Sequence, residues 1–256
     1  MEYRELGRTG QKVSALTLGT MTFGEQNTEA EGHEQMDYAL DQGINIFDAA
    51  EIYPIPPKAA TQGATEEIIG TWLASRKKRD QVMIATKVAG RSIAIDWLRD
   101  EPILSRQTPE QISEAIDKSL KRLQTDYVDL YQLHWPDRPI RVFEGLEYRR
   151  FADDAHNIHE ILEVLSELVA SGKVRFIGLS NETPWGVMSF LKLAEQHNLP
   201  RVVSVQNAYS LVSRAFEVGL SEISYEEQVG LLGYSPLGQG YLTGKYEDGA
   251  LPAGAR

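Results

Sequence analysis

Four side chains suited to acid–base chemistry occur in order along the chain. Asp48, Lys87 and His134 each stand at the C-terminal end of an apolar segment, and Tyr53 lies one short loop beyond Asp48. In a parallel barrel, the C-terminal ends of the strands form the edge at which reactions are catalysed. We therefore predict that the four side chains converge at one site.

The chemistry of such a site follows from charge. A tyrosine has an ordinary pKa of about 10 and is a poor acid at neutral pH, but a nearby cation favours the phenolate and lowers that pKa. Lys87 would supply the cation, and Asp48 would keep the lysine protonated. Tyr53 could then protonate a carbonyl oxygen, while His134 forms a hydrogen bond to that oxygen or shares the proton. None of these side chains can donate hydride, so reduction of a carbonyl requires a cofactor.

The length of the chain bounds the number of domains, and its charge disfavours several classes of partner. The chain has 256 residues, of which 42% are hydrophobic, and this length fits one α/β barrel as well as two smaller domains. We expect residues 1–256 to form a single barrel domain. A net charge of −11 and a pI near 5.0 disfavour nucleic acid and anionic membranes as partners. There is no cysteine and no long apolar run that could span a bilayer, so we expect a cytoplasmic protein without disulfides. The composition leaves the oligomeric state open.

Short apolar runs alternate with segments of helical periodicity, which is the pattern of repeated βα units. Most runs are too apolar to leave one face in water, as in strands that are covered on both sides. They lie at residues 15–18, 44–47, 82–86, 128–133, 174–179, 202–205 and 231–234. Residues 66–73 and 112–123 show helical spacing. For the second helix we predict a start at Thr108, with Thr108 as the cap, Pro109 at the first helical position and Gln111 completing a capping box.

Residues 2–14 are predicted to form a hairpin with its turn at 7–10, which could close the N-terminal end of a barrel. A closed (β/α)8 TIM barrel needs eight parallel strands, and only seven can be read. The predicted fold is therefore an α/β barrel of this type with an N-terminal hairpin. Its eighth strand is expected to be missing, which leaves the domain incomplete at the C-terminus.

Five ordered motifs resemble those of the aldo-keto reductase superfamily. They are LGTMTFG at residues 18–24, DAAEIY at 48–53, Lys87, HWP at 134–136 and GLSN at 178–181. Residues 21–27 and the proline-containing insert at 53–57 are similar to the bacterial Tas-type branch, which is related to potassium-channel β-subunits. The resemblance implies an NADPH-dependent oxidoreductase that reduces an aldehyde or ketone to an alcohol, with NADP as the cofactor rather than NAD.

The resemblance also assigns roles to single residues. It implies Asp48, Tyr53, Lys87 and His134 as catalytic residues, with Tyr53, His134 and Trp135 at the substrate. Residues implied in binding NADP(H) are Thr20, Met21, Asp48, Ser180, Asn181, Gln206, Tyr234, Ser235, Leu237, Lys245 and Arg256.

Within that set, the resemblance implies three separate contacts to the cofactor. The nicotinamide carboxamide would be held by Ser180, Asn181 and Gln206, and its ring would stack on Tyr234. The phosphates would contact Ser235, Leu237 and Lys245. Independently of the resemblance, the glycines and the lysine of loop 234–245 suit a pyrophosphate, because backbone amides in the loops after strands 7 and 8 of such barrels often bind phosphate.

Three other interpretations remain open. Asp48 and Lys87 could form a purely structural ion pair across adjacent strands. Lys87 could instead be the Schiff-base nucleophile of a lyase. In a third alternative, the chain is a nucleotide-binding regulatory or partner subunit with vestigial reductase activity.

Two long loops, at residues 89–107 and 136–157, are predicted to determine substrate specificity. Aromatic walls could come from Trp97, Phe143, Tyr148 and Phe151. An anionic group could be attracted by Arg91, Arg99, Arg138, Arg141, Arg149 and Arg150. His156 and His159 have the spacing of a metal pair on a helix, but no third ligand is evident, so no metal site is predicted.

Overall fold

The structure is a computed structural model that describes residues 1–140, 143, 148–152 and 157–253. At the N-terminus, β1 (Tyr3–Glu5) and β2 (Lys12–Ser14) form an antiparallel hairpin. Leu6 and Val13 of this hairpin pack against Ile46 at the start of a barrel strand. The predicted hairpin is thus confirmed, and it lies at the N-terminal ends of the strands.

Seven strands form one parallel sheet in the order of the chain. They are β3 (Leu18–Gly19), β4 (Ile46–Asp48), β5 (Met83–Val88), β6 (Val128–Leu133), β7 (Val174–Ser180), β8 (Val202–Ala208) and β9 (Gly230–Tyr234). This is the consecutive parallel order of a (β/α)8 barrel, and it confirms the predicted fold class. In the described part of the chain, β3 and β9 are the edge strands of this sheet.

The sheet is curled rather than flat. Strands β4 and β8 are four positions apart in the sheet, which would separate them by about 19 Å in a flat sheet. Nevertheless, the Gln206 side chain of β8 donates a hydrogen bond of 2.9 Å to the Asp48 carboxylate of β4. The interior of the curled sheet therefore brings polar side chains from distant strands together.

Helices lie between the strands and cover the outside of the sheet. They are α1 (Glu29–Asp41), α2 (Ala64–Arg76), α3 (Pro109–Leu123), α4 (Ile158–Ala170), α5 (Pro184–His197) and α6 (Leu220–Glu226). Short 3-10 turns occupy Arg79–Gln81, Ala215–Glu217, Gly238–Thr243 and Glu247–Gly249. The helix–sheet contact is aromatic in places, with the Phe47 and Trp72 rings 5.4 Å apart. In the described residues, no helix is both long enough and apolar enough to cross a membrane.

Two local predictions differ from the structure. The first strand was expected at residues 15–18 but is confined to Leu18–Gly19, because the preceding residues connect the hairpin to the sheet and leave Leu16 60% exposed. Thr108 caps α3 by accepting a hydrogen bond from the Gln111 amide, as predicted. The Gln111 side chain, however, bonds to the backbone of Leu104 and Arg106 and so fastens the preceding loop instead of completing a capping box.

Candidate active site

Asp48, Tyr53 and Lys87 meet at the C-terminal edge of the sheet. Asp48 is the last residue of β4, and Lys87 is next to last in β5. The Lys87 ammonium lies 2.6 Å from an Asp48 carboxylate oxygen, 2.7 Å from the Ala49 carbonyl oxygen and 3.5 Å from the Tyr53 hydroxyl. Its side chain is completely buried. The geometry therefore brings a cation, a carboxylate and a phenol into one contact group.

The second carboxylate oxygen of Asp48 is held by two glutamines. Gln132 and Gln206 donate hydrogen bonds of 3.1 and 2.9 Å to it from strands β6 and β8. Gln132 was not among the predicted site residues. The sequence could have indicated it, because Gln132 is a polar residue in the otherwise apolar end of strand β6. A completely buried polar side chain needs a hydrogen-bond partner.

Lys87 keeps its positive charge although its side chain is buried. Burial alone would lower the lysine pKa, but the Asp48 carboxylate and the Tyr53 hydroxyl outweigh that effect and raise the pKa above its ordinary value. Lys87 is therefore an ammonium group at neutral pH. A Schiff-base nucleophile requires the neutral amine, so this environment disfavours the lyase interpretation.

His134 follows β6 directly and faces Tyr53. The two rings are 5.5 Å apart between centroids and nearly perpendicular, at 81°. Burial of the imidazole, with a further contribution from the Lys87 charge, lowers the pKa of His134 well below its ordinary value. The ring is therefore neutral at pH 7 and can donate one hydrogen bond.

The lowered pKa of His134 predicts a pH dependence of stability. The unfolded chain protonates this histidine near its ordinary pKa of about 6.5, whereas the folded protein does so only at lower pH. The neutral imidazole therefore makes its full contribution to the free energy of unfolding above pH 6.5. This contribution is lost as the pH falls from 6.5 towards the lower pKa of the folded state. As the pH falls, we expect the free energy of unfolding to decrease more steeply in the wild type than in His134→Gln. The difference between the two slopes should reach up to about 1.4 kcal/mol per pH unit. Urea unfolding between pH 7.5 and 5 measures this difference, and equal slopes would contradict it.

A buried ion pair fastens the loop after β5 to the segment that carries Tyr53. The Glu51 carboxylate accepts hydrogen bonds of 2.7 and 2.9 Å from the Arg99 guanidinium and one of 2.8 Å from the Ala89 amide. The Glu51 amide in turn donates to the Lys87 carbonyl at 3.1 Å. Glu51 thus connects the backbone around Lys87, the loop and the tyrosine, a role that was not predicted from the sequence.

Two of the arginines predicted to attract an anionic group are used in structural ion pairs. Arg99 is 5% exposed and bound to Glu51, and Arg138 is 6% exposed and bound to Glu182. The prediction was wrong for both, because a buried guanidinium that already has a carboxylate partner does not attract a second anion. Arg91 stacks over the Phe151 ring at 5.6 Å, and Arg150 donates to the Ala152 carbonyl. Arg141 lies outside the described residues.

Asp48, Tyr53, Lys87 and His134 are called the tetrad below. The residues implied in holding the nicotinamide form a connected network beside this tetrad. Tyr234 donates a hydrogen bond of 2.7 Å to the Asn181 side-chain oxygen. The Asn181 side-chain amide donates to the His134 carbonyl at 2.9 Å and to the Ser180 hydroxyl at 3.2 Å. Ser180 donates to the Gln206 carbonyl at 2.8 Å. The structure therefore brings Ser180, Asn181, Gln206 and Tyr234 together at the C-terminal ends of β7, β8 and β9.

The loop after β9 combines left-handed backbone with a cation. Ser235 and Gly238 have φ values of 54° and 56°, whereas Leu237 between them has a φ of −94° and a ψ of 17°. Successive residues of opposite hand form concave nests of amides that bind anions. The exposed Lys245 folds back over this loop, and a Cβ added at Gly240 would come within 2.8 Å of its ammonium. Arg256, also predicted to contact the cofactor, lies outside the described residues.

The remaining predicted residues flank the tetrad. The Thr20 hydroxyl donates to the Asp48 carbonyl at 2.8 Å. Met21, Trp97 and Trp135 pack against the small apolar cluster that contains Tyr53. The Trp135 ring lies 5.0 Å from that of His134, and its indole N–H donates to the Arg91 carbonyl at 2.8 Å. These contacts place apolar walls beside the tetrad.

The outer aromatic residues of the loops are more open. Phe143 is exposed and lies 6.0 Å from the Trp135 ring, and Tyr148 and Phe151 are also exposed. The predicted His156 is outside the described residues, and His159 stacks on His197 with 3.9 Å between ring centroids. Among the residues that the structure describes, no group of three or more histidine and acidic side chains is arranged to hold a metal ion.

Comparison with known proteins agrees with the sequence motifs. The model of the Aldo/keto reductase family matches residues 15–254. Protein tas of Escherichia coli is 52% identical over the whole chain, which spans 74% of that protein. The uncharacterized oxidoreductase YrpG of Bacillus subtilis is 39% identical over 96% of this chain and 69% of its own. Norsolorinic acid reductase B of Aspergillus parasiticus is 31% identical over 93% of this chain and 58% of its own.

Proposed function

Because the chain belongs to the aldo/keto reductase family of oxidoreductases, we propose that it reduces an aldehyde or ketone to an alcohol with NADPH, using Tyr53 as the general acid. The observation that carries this proposal is the buried contact of Lys87 with both Asp48 and Tyr53. A carbonyl oxygen gains negative charge as its carbon is reduced. An acid placed beside a fixed cation can neutralise that charge by giving up its proton.

The electrostatic interaction between Lys87 and Tyr53 is reciprocal. Tyr53 helps to raise the lysine pKa because the ammonium and the ionised phenol attract one another. The same attraction favours the phenolate and makes the tyrosine a stronger acid. Asp48, held by Gln132 and Gln206, keeps the lysine charged so that this effect persists at neutral pH.

His134 would position the carbonyl rather than supply the proton. Its neutral ring carries one N–H, and its Nδ1 atom is buried without a hydrogen bond in the described part of the chain. A buried N–H without an acceptor costs free energy, so the proton is better placed on Nε2. The Nε2–H group can donate to a carbonyl oxygen, and the ring, at 5.5 Å from that of Tyr53, would hold this oxygen near the hydroxyl.

The residues at the ends of β7, β8 and β9 support the proposal that NADPH is the cofactor. Ser180, Asn181 and Tyr234 present polar groups and a ring beside the tetrad, and loop 235–245 offers a nest and Lys245 to a pyrophosphate. In the described part of the chain, no carboxylate lies within ion-pair distance of Lys245, so its charge is available to phosphate. When bound, NADPH would supply the hydride to the carbonyl carbon.

The substrate class is a carbonyl compound with an apolar part. Trp97, Trp135 and Met21 surround the tyrosine with apolar surface, whereas Arg99 and Arg138 are occupied by internal carboxylates. One relative bears the name norsolorinic acid reductase B, so a protein similar to this chain is named as the reductase of an organic compound. We therefore propose aromatic aldehydes and ketones as the first compounds to assay.

The test measures binding and turnover separately. NADPH is titrated by protein fluorescence, and its oxidation is then followed with a panel of aromatic and aliphatic aldehydes and ketones, with NADH in parallel. We expect saturable NADPH binding and carbonyl-dependent oxidation that is faster with NADPH than with NADH. Tight binding without turnover of any carbonyl would support the regulatory-subunit interpretation instead, and absence of binding would contradict the choice of cofactor.

A further inference from the structure

The end of the barrel opposite the tetrad contains a cavity of about 270 Å³. It lies between the hairpin turn, which carries Arg8, and the beginnings of β7 and β8, where Arg175 and Val203 are found. This volume is many times the roughly 10–15 Å³ that a single water needs. It is large enough for a small organic molecule.

The surroundings of this cavity carry excess positive charge. Arg175 shares the single carboxylate of Asp129 with Arg79, at 2.9 and 2.8 Å. Arg201 is paired with Glu227. Arg8 donates at 2.8 Å to the neutral side chain of Gln228, and in the described residues no carboxylate lies within ion-pair distance of it. Three guanidinium groups, those of Arg8, Arg175 and Arg201, therefore line the cavity, and in the described residues their carboxylate partners are Glu227 and the Asp129 that Arg175 shares with Arg79. This excess of positive charge stands in a chain whose net charge is −11.

The backbone next to Arg8 lies close to the sheet. Gly7 has a φ of 55°, and a Cβ at this position would lie 2.5 Å from the Val203 carbonyl oxygen. The hairpin turn therefore rests directly on the start of β8 and can approach it only because residue 7 is glycine. This contact places the exposed Arg8 at the rim of the cavity.

The floor of the cavity is apolar. It includes the partly buried Phe176 and Val203, which belong to neighbouring strands. A guanidinium group binds phosphate through two parallel hydrogen bonds, and an apolar floor favours a carbon skeleton over a bare ion. From the charge, the volume and the floor together, we propose that this cavity binds a small organic phosphate ester, with the phosphate at Arg8 and Arg175 and the carbon part on Phe176 and Val203.

The test uses phenyl phosphate as the probe and isothermal titration calorimetry as the measurement. We expect saturable binding to the wild type and a loss of affinity of about tenfold or more in Arg8→Gln, because one charge-assisted contact is removed. The matched control is Arg4→Gln, since Arg4 lies on the same hairpin, is exposed and pairs with Glu2. The control is expected to bind within twofold of the wild type.

Three further results make the test decisive. Arg8→Lys keeps the positive charge but loses the planar pair of guanidinium donors, so its affinity for phenyl phosphate should lie between those of the wild type and Arg8→Gln. If Arg8→Gln does not fold, Arg8→Lys takes its place in the comparison. Inorganic phosphate should bind more weakly than phenyl phosphate because it cannot use the apolar floor. Equal affinity of the wild type and Arg8→Gln would place the probe elsewhere, for example at loop 235–245, and would overturn the proposal. Lack of saturation would overturn it as well.

Discussion

Replacement of Tyr53 by phenylalanine is expected to lower kcat for carbonyl reduction by about 10³-fold, within the range that a general acid contributes. The substitution removes only the hydroxyl that lies 3.5 Å from the Lys87 ammonium. The ring remains in the apolar cluster with Ile52 and Leu98, so the fold should be retained. NADPH affinity, measured by fluorescence titration, should stay within about twofold of the wild type, because Tyr53 is not among the residues implied in binding NADP(H).

Tyr209→Phe is the matched control for the loss of a tyrosine hydroxyl. The Tyr209 hydroxyl donates to Glu217 at 2.8 Å, and its ring packs on Phe216, so its contacts are with the 3-10 turn at Ala215–Glu217. Activity in this variant should remain near that of the wild type. If Tyr53→Phe kept more than a tenth of the wild-type turnover, another group would have to be the acid.

Lys87→Met is expected to damage both activity and stability. The substitution leaves the Asp48 carboxylate in a buried site without its cation, and breaking a buried pair in this way costs about 3 kcal/mol or more. Turnover should fall by at least about 10²-fold, because Tyr53 loses the charge that favours its ionised form. Urea unfolding and carbonyl-dependent NADPH oxidation measure the two effects.

A double variant separates the electrostatic effect from the loss of packing. In Asp48→Asn/Lys87→Met both charges are gone, while Gln132 and Gln206 can still donate to the asparagine oxygen. We expect this double variant to be more stable than Lys87→Met alone, although equally inactive. If the double variant were less stable than the single one, the unpaired carboxylate would not be the cause of the destabilisation.

The position of the tetrad could be predicted from the sequence because each member follows a recognisable strand. The apolar run at 128–133 ends next to His134, and the run at 82–86 ends next to Lys87. In a parallel sheet, residues at such ends share one edge, so their proximity follows from topology alone. The predicted strands were confirmed with their ends displaced by at most three residues, apart from the first, which keeps only Leu18 of its predicted span.

Pairings between distant charged residues could not be predicted in the same way. Arg99 and Arg138 lie in arginine-containing loops that were predicted to attract an anion. In the structure each forms an ion pair with a carboxylate that is more than forty positions away in the chain. Glu51 and Gln132 were missed for the same reason, since their roles depend on which buried groups face them in the folded state. Local patterns indicate strands and helices, whereas the choice of partner for a buried charge depends on the tertiary structure.

The most direct measurement of the effect of Lys87 on Tyr53 is a pH titration of that tyrosine in protein labelled with ¹³C-tyrosine. Carbon-13 NMR would follow the ring carbon that bears the hydroxyl, and Tyr53→Phe would assign its signal. We predict that Tyr53 ionises below the ordinary tyrosine pKa of about 10 in the wild type and at or above that value in Lys87→Met. Ionisation near pH 10 in both proteins would contradict the proposal that Lys87 makes this tyrosine an acid.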